Sequence, residues 1–290
     1  MHVLLRALTR DEFRGFADLV YKETGIFLAD HKIGLLTNRL RARVKARGLG
    51  SFAEYYARLR NAAFRDEELP LFLSAVTTNE TYFFRNERLW DMFEKKIVPE
   101  IVARGRRGTR SMRIWSAASS SGEEAYTAGI LLKEFLPDAA RWNITIIGSD
   151  ISSKVIEKAR AGVYNDYAVS RTTPQRIARW FDRRGDAYRI KEEVQKLVRF
   201  QIHNLRDRFP GPRFDFVLLR NVLMYFDTPM KRLAVSTTAD AVAPGGYLYV
   251  GDVDPLRTSP ELSSAMPLVA GPPGLYHRPD GRATDGQVKP

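Results

Sequence analysis

The chain has 290 residues, 44% hydrophobic and 28% charged, enough to bury a core of ordinary size and to argue against global disorder. It contains no cysteine, which removes disulfides, thiolate metal sites and cysteine nucleophiles and fits a reducing cytoplasm. The formal net charge of +12 favours an acidic partner (nucleic acid, anionic lipid or an acidic protein face) without choosing among them.

The N-terminal apolar run is too short for a signal peptide, and no stretch approaches the roughly 18 apolar residues of a membrane span. No membrane insertion is therefore expected. Residues 11–76 read as helical. Phe13, Phe16, Val20 and Tyr21 recur at helical spacing before Gly25. A second helix runs over about 32–47 and ends at Gly48; a third opens at Ser51 with a capping-box pattern completed by Glu54. In the second helix Arg39, Arg43 and Arg47 share one face, broadened by Arg41 and Lys45, opposite Leu36, Leu40 and Val44. That face reads either as a solvated basic surface or as a dock for an acidic helical substrate.

A linker and connecting helix (77–110) follow, opening on Thr77-Thr78-Asn79-Glu80-Thr81-Tyr82-Phe83-Phe84-Arg85, where polar side chains run into aromatics. From residue 111 strands alternate with helices. Strands are predicted over 112–117, 144–149, 214–219 and 247–251, with helices to about Leu136, over 152–161 and from Thr228-Pro229. The fold class is therefore α/β, a doubly wound, mostly parallel sheet behind a small all-helical domain. Residues 164–203 interrupt the rhythm with a helix over 172–181 and short strands over 187–190 and 197–202, and read as an inserted β-subdomain. The main domain spans 111–278, and 279–290 reads as a loose tail.

Two features suggest a nucleoside-bearing cofactor. The first strand leads through Ser116-Ala-Ala-Ser-Ser-Ser-Gly122, whose small side chains let a ligand approach the backbone, into a helix opening with Glu123 and Glu124. Two acids at a helix start suit a cation or hydroxyls better than a phosphate. The second strand ends in Asp150, where doubly wound folds commonly place a carboxylate on ribose hydroxyls; it could equally cap the next helix. No G-x-G-x-x-G occurs, which disfavours dinucleotides. Arg220-Asn221 lies just past the end of another buried strand, where open α/β sheets bind ligands.

Together the stretches TTNETYFFRN, RIWSAASSSGEEAY, IGSDISSKVIEKARAGVY, the Asn-Leu of HNL, FDFVLLRNVLMYFD and GGYLYVG resemble the chemotaxis receptor methyltransferases, the CheR family, from about Leu8 to His277. The resemblance implies a helical domain, a Rossmann-like class I methyltransferase domain with an inserted β-subdomain, S-adenosylmethionine as donor with S-adenosylhomocysteine as product, and receptor glutamates as acceptors. By motif it implies cofactor contacts from Asn79, Thr81, Arg85, Glu123 or Glu124, Asp150, Asn204, Leu205, Arg220 and Asn221. It places Tyr225 near the transferred methyl, with Arg220 as a second catalytic candidate. It also gives Arg39, Arg41, Arg43 and Arg47 a docking role toward an acidic helical region of a receptor.

One departure stands out: Gly251-Asp252-Val253-Asp254 replaces the family's Gly-His-Ser-Glu. It opens the alternative of a SAM-binding sensor or scaffold with altered or lost catalysis. A nucleic-acid methyltransferase is disfavoured, because RNVLMY stands where base-amine methylation shows Asp/Asn-Pro-Pro-Tyr/Phe, and carbon-5 methylation needs a cysteine. Carboxylate methylation requires no metal, and a monomer is expected.

Overall fold

The computed structural model describes residues 5–105, 109–136, 138–251, 256, 259–263 and 266–280. The Asp252–Asp254 departure and the last ten residues of the tail lie outside them. Four helices come first: α1 (Arg10–Thr24), α2 (Ile33–Ala46), α3 (Phe52–Leu59) and α4 (Ala62–Val76). Thr9 and Glu12 form a complete capping box on α1, and Gly25 ends it at φ 75°. On α3 the expected box is half formed: Ser51 accepts from the Glu54 amide, while the Glu54 carboxylate takes the amide of Gly50. Phe16, Val20, Leu40, Val44, Tyr55 and Phe72 fill the core between these helices.

The connecting segment is helical in two parts, α5 (Glu87–Met92) and α6 (Val98–Gly105), joined by a π-type turn over Phe93–Ile97. The main sheet then forms from β1 (Ser111–Ala117), β2 (Asn143–Asp150), β6 (Val198–Ile202), β7 (Phe214–Leu219), β8 (Val242–Tyr249), β9 (Val269–Ala270) and β10 (Leu275–His277). Their order is β6-β2-β1-β7-β8-β10-β9. The first five strands are parallel, and β10 runs antiparallel to both its neighbours. Both faces are covered. Ile114, Ile146, Phe216 and Leu218 belong to one core, and Trp115, Ile147, Val217 and Leu219 to the other. This is why the strands read as continuous apolar runs rather than alternating ones.

Among the helices around this sheet, three position the site: α7 (Glu123–Phe135), α8 (Ser153–Ala161) and α12 (Thr228–Asp240); the short α9 (Asp166–Val169), α10 (Pro174–Trp180) and α11 (Glu192–Gln195) fall between the last two. Between α8 and β6 lies a three-stranded antiparallel unit, β3 (Val163–Tyr164), β5 (Ala187–Ile190) and β4 (Phe181–Arg184). One strand expected in the insertion is not part of it. Residues 197–202 supply β6, whose pairing with β2 makes it the edge of the main sheet. Its partner lies about fifty residues upstream, which local sequence pattern does not reveal.

Chain order puts the switch point between β1 and β7: the path moves outward through β2 and β6 on one side and through β8 on the other. Open α/β sheets bind ligands at the carboxyl ends of such strands. The helical unit closes over this end. An isolated antiparallel bridge joins Ile26 to Phe226, and the Phe27 amide donates to the Tyr225 carbonyl at 2.8 Å. Tyr21 donates to Asp227 at 2.9 Å, Ser152 to Ser74 at 2.9 Å, and the Asn204 amide to the Glu23 carbonyl at 2.8 Å.

Candidate active site

A cavity with about 970 Å³ of empty space opens at the switch point. Its wall takes residues from the helical unit (Thr24, Ile26), the connecting segment (residues 77–82 and Arg85), the β1 loop, and the ends of β2, β6 and β7. Of the residues singled out in the sequence, Asn79, Thr81, Arg85, Glu124, Asp150, Asn204, Leu205, Arg220, Asn221 and Tyr225 all line it. Glu123 does not.

The two adjacent glutamates are the first two residues of α7 and part because successive helical residues point in different directions. Gly122 turns the chain at φ 92°. Glu123 then points into the protein, 1% exposed, with both oxygens on the Ser121 hydroxyl. Burial raises its carboxyl above the usual value, opposed by its own amide, by Ser121 and by Lys158. Glu124, one residue round the helix, faces the cavity. Its carboxylate is held by Arg220 at 2.7 Å and by the Ser116 hydroxyl at 2.7 Å.

Asp150 ends β2 with 7% of its surface exposed. One oxygen accepts the Ser152 amide and the other the Ser120 amide, each at 3.0 Å. It therefore caps the turn into α8 and also presents its carboxylate to the cavity. Burial raises its pKa, opposed by the amides of Ser152, Ser120 and Ile151. Asn204 is spent on the protein itself: its amide group goes to Glu23, and its carbonyl oxygen accepts the Arg206 amide. Arg85 donates to the Glu80 carbonyl at 3.1 Å and lies over the Tyr82 ring at 5.5 Å. Arg220 also donates to the Arg85 carbonyl at 3.3 Å, tying the connecting segment to the end of β7.

The backbone here is strained. Among the described residues six non-glycines hold left-handed φ angles; Asp138 is away from the cavity, and Phe84, Asn86, Ala118, Ser120 and Asn221 lie in segments that wall it. Each such residue costs on the order of 1–3 kcal/mol and persists only where surrounding contacts over-determine it.

The wall also contains two serines of the β1 loop, Ser119 and Ser120, read from the sequence only as part of that loop. Two residues the sequence did not single out line it as well, Thr24 and His203, the latter beside the Asn-Leu pair in HNL. Burial holds the His203 imidazole below its usual value, with Asp207 opposing. Its Nε2 and the Ser119 hydroxyl are buried with no partner in the protein. That adjacency to Asn204 was the only signal in the sequence for His203.

Three of the four arginines expected to dock a substrate are also engaged within the protein. Arg43 gives two hydrogen bonds to Glu68, at 2.8 and 2.7 Å, and Arg47 a third at 2.5 Å. Glu68, on α4, is fully buried and also accepts from Tyr55 at 2.6 Å. Burial raises its pKa, but the bonds from Arg43, Tyr55 and Arg47 outweigh this and hold the carboxyl below its usual value. Arg39 turns to the connecting segment, donating to the Val76 carbonyl and, at 2.8 Å, to the Thr78 hydroxyl. Arg41 donates to Asn38 at 3.0 Å and, like the exposed Lys45, has no carboxylate partner among the described residues. The face turns inward because α4 packs across it and brings Glu68 beneath it.

Two family models match the chain in sequence, the CheR methyltransferase all-alpha domain over residues 11–77 and the CheR methyltransferase SAM-binding domain over residues 79–270. The chain belongs to the CheR methyltransferase family. The chemotaxis protein methyltransferase of Salmonella typhimurium is 36% identical over 253 residues, covering 84% of each chain. Chemotaxis protein methyltransferase 2 of Vibrio cholerae is 34% identical over 287 residues, covering 98% of this chain and 94% of its own. Among solved structures, the glycopeptide N-methyltransferase MtfA complexed with S-adenosylmethionine is 14% identical, covers 60% of this chain and 58% of its own, and has a TM-score of 0.32, too low to carry weight.

The protein is thus a SAM-dependent methyltransferase, and the cavity fits the cofactor. A buried carboxylate stands at the end of β2, and two partnerless polar atoms, Ser119 Oγ and His203 Nε2, wait in the same wall. A nucleoside's hydroxyls and ring nitrogens satisfy such groups. Among the described residues no helix of the methyltransferase is long and apolar enough to cross a membrane.

Proposed function

We propose that this methyltransferase esterifies the γ-carboxylate of a glutamate in an acidic helical segment of a chemotaxis receptor. The chemistry at the β7 end of the cavity carries the reading. The guanidinium groups of Arg85 and Arg220 and the phenol of Tyr225 line that end. The carboxylates of the wall are already engaged: Glu124 by Arg220 and Ser116, Glu80 by Tyr167, and Asp150 by two backbone amides. No carboxylate is left free at that end to act as a general base, the unpartnered His203 standing by β6 instead, and a glutamate acceptor needs none, being ionised at neutral pH with a reference pKa of about 4.3.

Bound S-adenosylmethionine supplies the activated methyl group. Asp150 accepts from the ribose hydroxyls. Asn79, Thr81, Leu205 and Asn221 shape the cofactor's walls, and Asn204 holds the β6 loop against the helical unit. Glu124 would hold the cationic end of the donor. Arg220 fixes Glu124 in place rather than acting on the methyl. Arg85 and Tyr225 orient the acceptor carboxylate, and exclusion of water from the enclosed site removes its solvation. The helical unit (1–76), the segment 77–110 and the sheet domain (111–278) thus each supply part of one site.

The test is transfer of tritiated methyl from S-adenosylmethionine to the cytoplasmic fragment of a chemotaxis receptor. Label released as methanol by mild base marks an ester. Label that resists base marks an amine or ring acceptor and refutes the reading.

A further inference from the structure

A second cavity, with about 1190 Å³ of empty space, adjoins the first and shares Tyr82, Arg85, Arg220 and Asn221 with it. Beyond these, Leu223, Met224 and Lys231 line it, and among the described residues no acidic side chain does. Arg220 is neutralised by Glu124. Arg85 has only a backbone carbonyl and the face of Tyr82. Lys231 has no carboxylate partner among the described residues; its backbone amide donates to the Asp227 carbonyl at 2.8 Å. Among the described residues, then, two cations without a carboxylate partner face one chamber, Arg85 where it meets the cofactor cavity and Lys231 in the part that cavity does not share.

Folding gives no reason for Lys231. It sits four residues from Asp227, the N-cap of α12, at the positive end of the helix dipole, where a cation is mildly unfavourable. Its neighbour Met230 is buried against Gly25 and sets the rotation of the helix, leaving Lys231 on the cavity side. Met224 beside it is 66% exposed, an apolar rim at the chamber's mouth.

We propose that this chamber is the entry for the acidic substrate segment and that Lys231 is its recognition residue. Lys231 captures a carboxylate of the incoming segment, so that the acceptor glutamate is delivered to Arg85 and Tyr225. Met224 packs against the aliphatic part of the same segment. The assignment rests on the glutamate-esterification reading above and adds to it the route and the residue that selects charge.

The experiment compares wild type with K231M, K231E and K231R, using tritiated S-adenosylmethionine and an all-glutamate receptor cytoplasmic fragment. The KM for the fragment rises about threefold in K231M and about tenfold in K231E, the scale of one solvent-screened charge removed or reversed. K231R stays near wild type, kcat stays within about twofold, and the K231E defect shrinks as salt rises. Affinity for S-adenosylhomocysteine is unchanged, and melting temperature does not fall, because an acid at this helix end is favourable. Normal base-labile labelling with an unchanged KM in K231E overturns the role of Lys231 alone. A wild-type enzyme that puts no base-labile methyl on the fragment overturns the glutamate reading and the role of Lys231 with it.

Discussion

Arg43→Ala should be a stability variant and not a docking variant. Glu68 is fully buried and takes four hydrogen bonds, two of them from Arg43. Removing one partner of a buried ion pair costs about 3–5 kcal/mol when the remaining charge is left alone. Here Arg47 and Tyr55 remain, and the Arg43 side chain is 20% exposed, so water reaches the gap. Discounted for that screening, the loss should be about 2 kcal/mol, or roughly 4–8 °C in melting temperature for a chain of this size. The sign with pH follows from Glu68. Its folded pKa lies below the ordinary 4.5, so the network's contribution is complete above that value and is lost as pH falls through the folded one. The gap between wild type and variant should therefore close in acid. Thermal melts at pH 7 and pH 4, with S-adenosylhomocysteine affinity and substrate KM on the folded protein, measure all of this. In a Glu68→Gln background the same change should cost distinctly less, since no buried charge is stranded. An unchanged melt at pH 7 together with a raised substrate KM would refute the reasoning and restore the arginine face as a dock.

Three further outcomes follow from the site. Asp150→Asn should weaken S-adenosylhomocysteine binding about tenfold to hundredfold, the worth of a hydrogen bond to a charged group, about 1.5–3 kcal/mol; unchanged calorimetric affinity would remove Asp150 from the cofactor. Tyr225→Phe should slow turnover moderately and leave cofactor affinity nearly intact, because the phenol lines the cavity but is assigned to the acceptor; a comparable loss of affinity would place it on the cofactor instead. The single-turnover rate should stay flat from about pH 6 to 8.5, since a carboxylate acceptor is ionised throughout; a rise of about tenfold per pH unit would point to an amine or hydroxyl that must first lose a proton.

What the sequence disclosed was what depends on near neighbours. The β1 loop was readable because a run of small residues between an apolar strand and an acidic helix start has few uses. Asp150 was readable, as was its cap on the next helix through Ser152, whereas its bond from the Ser120 amide was not. The capping box of Thr9 and Glu12 was equally local and could have been found, whereas the pattern at Ser51 forms only in part. Glu123 and Glu124 could not be separated by pattern, because which one faces the ligand depends on how Gly122 starts the helix. The arginine face shows the opposite limit. Helical periodicity correctly put Arg43 and Arg47 on one side, but their partner Glu68 is 25 and 21 residues away on another helix. A charge stripe looks the same in sequence whether it meets water or a buried acid. The strand β6 was misplaced for a related reason, since a short apolar strand does not announce which sheet it joins.

The bridge between Ile26 and Phe226 has a consequence for how such proteins can be recombined. The strand-like stretch after α1 is hydrogen-bonded to the backbone at Tyr225, and Thr24 and Ile26 form part of the cavity wall. The helical unit is therefore not an interchangeable adaptor attached to a self-sufficient engine. A chimera that takes its first 76 residues from one relative and the rest from another inherits a cofactor pocket with two parents. Its donor affinity would change with the parent of its helical unit. Drift in the helical unit is constrained by the chemistry it covers, and the border between the two family domains is not a border between two functions.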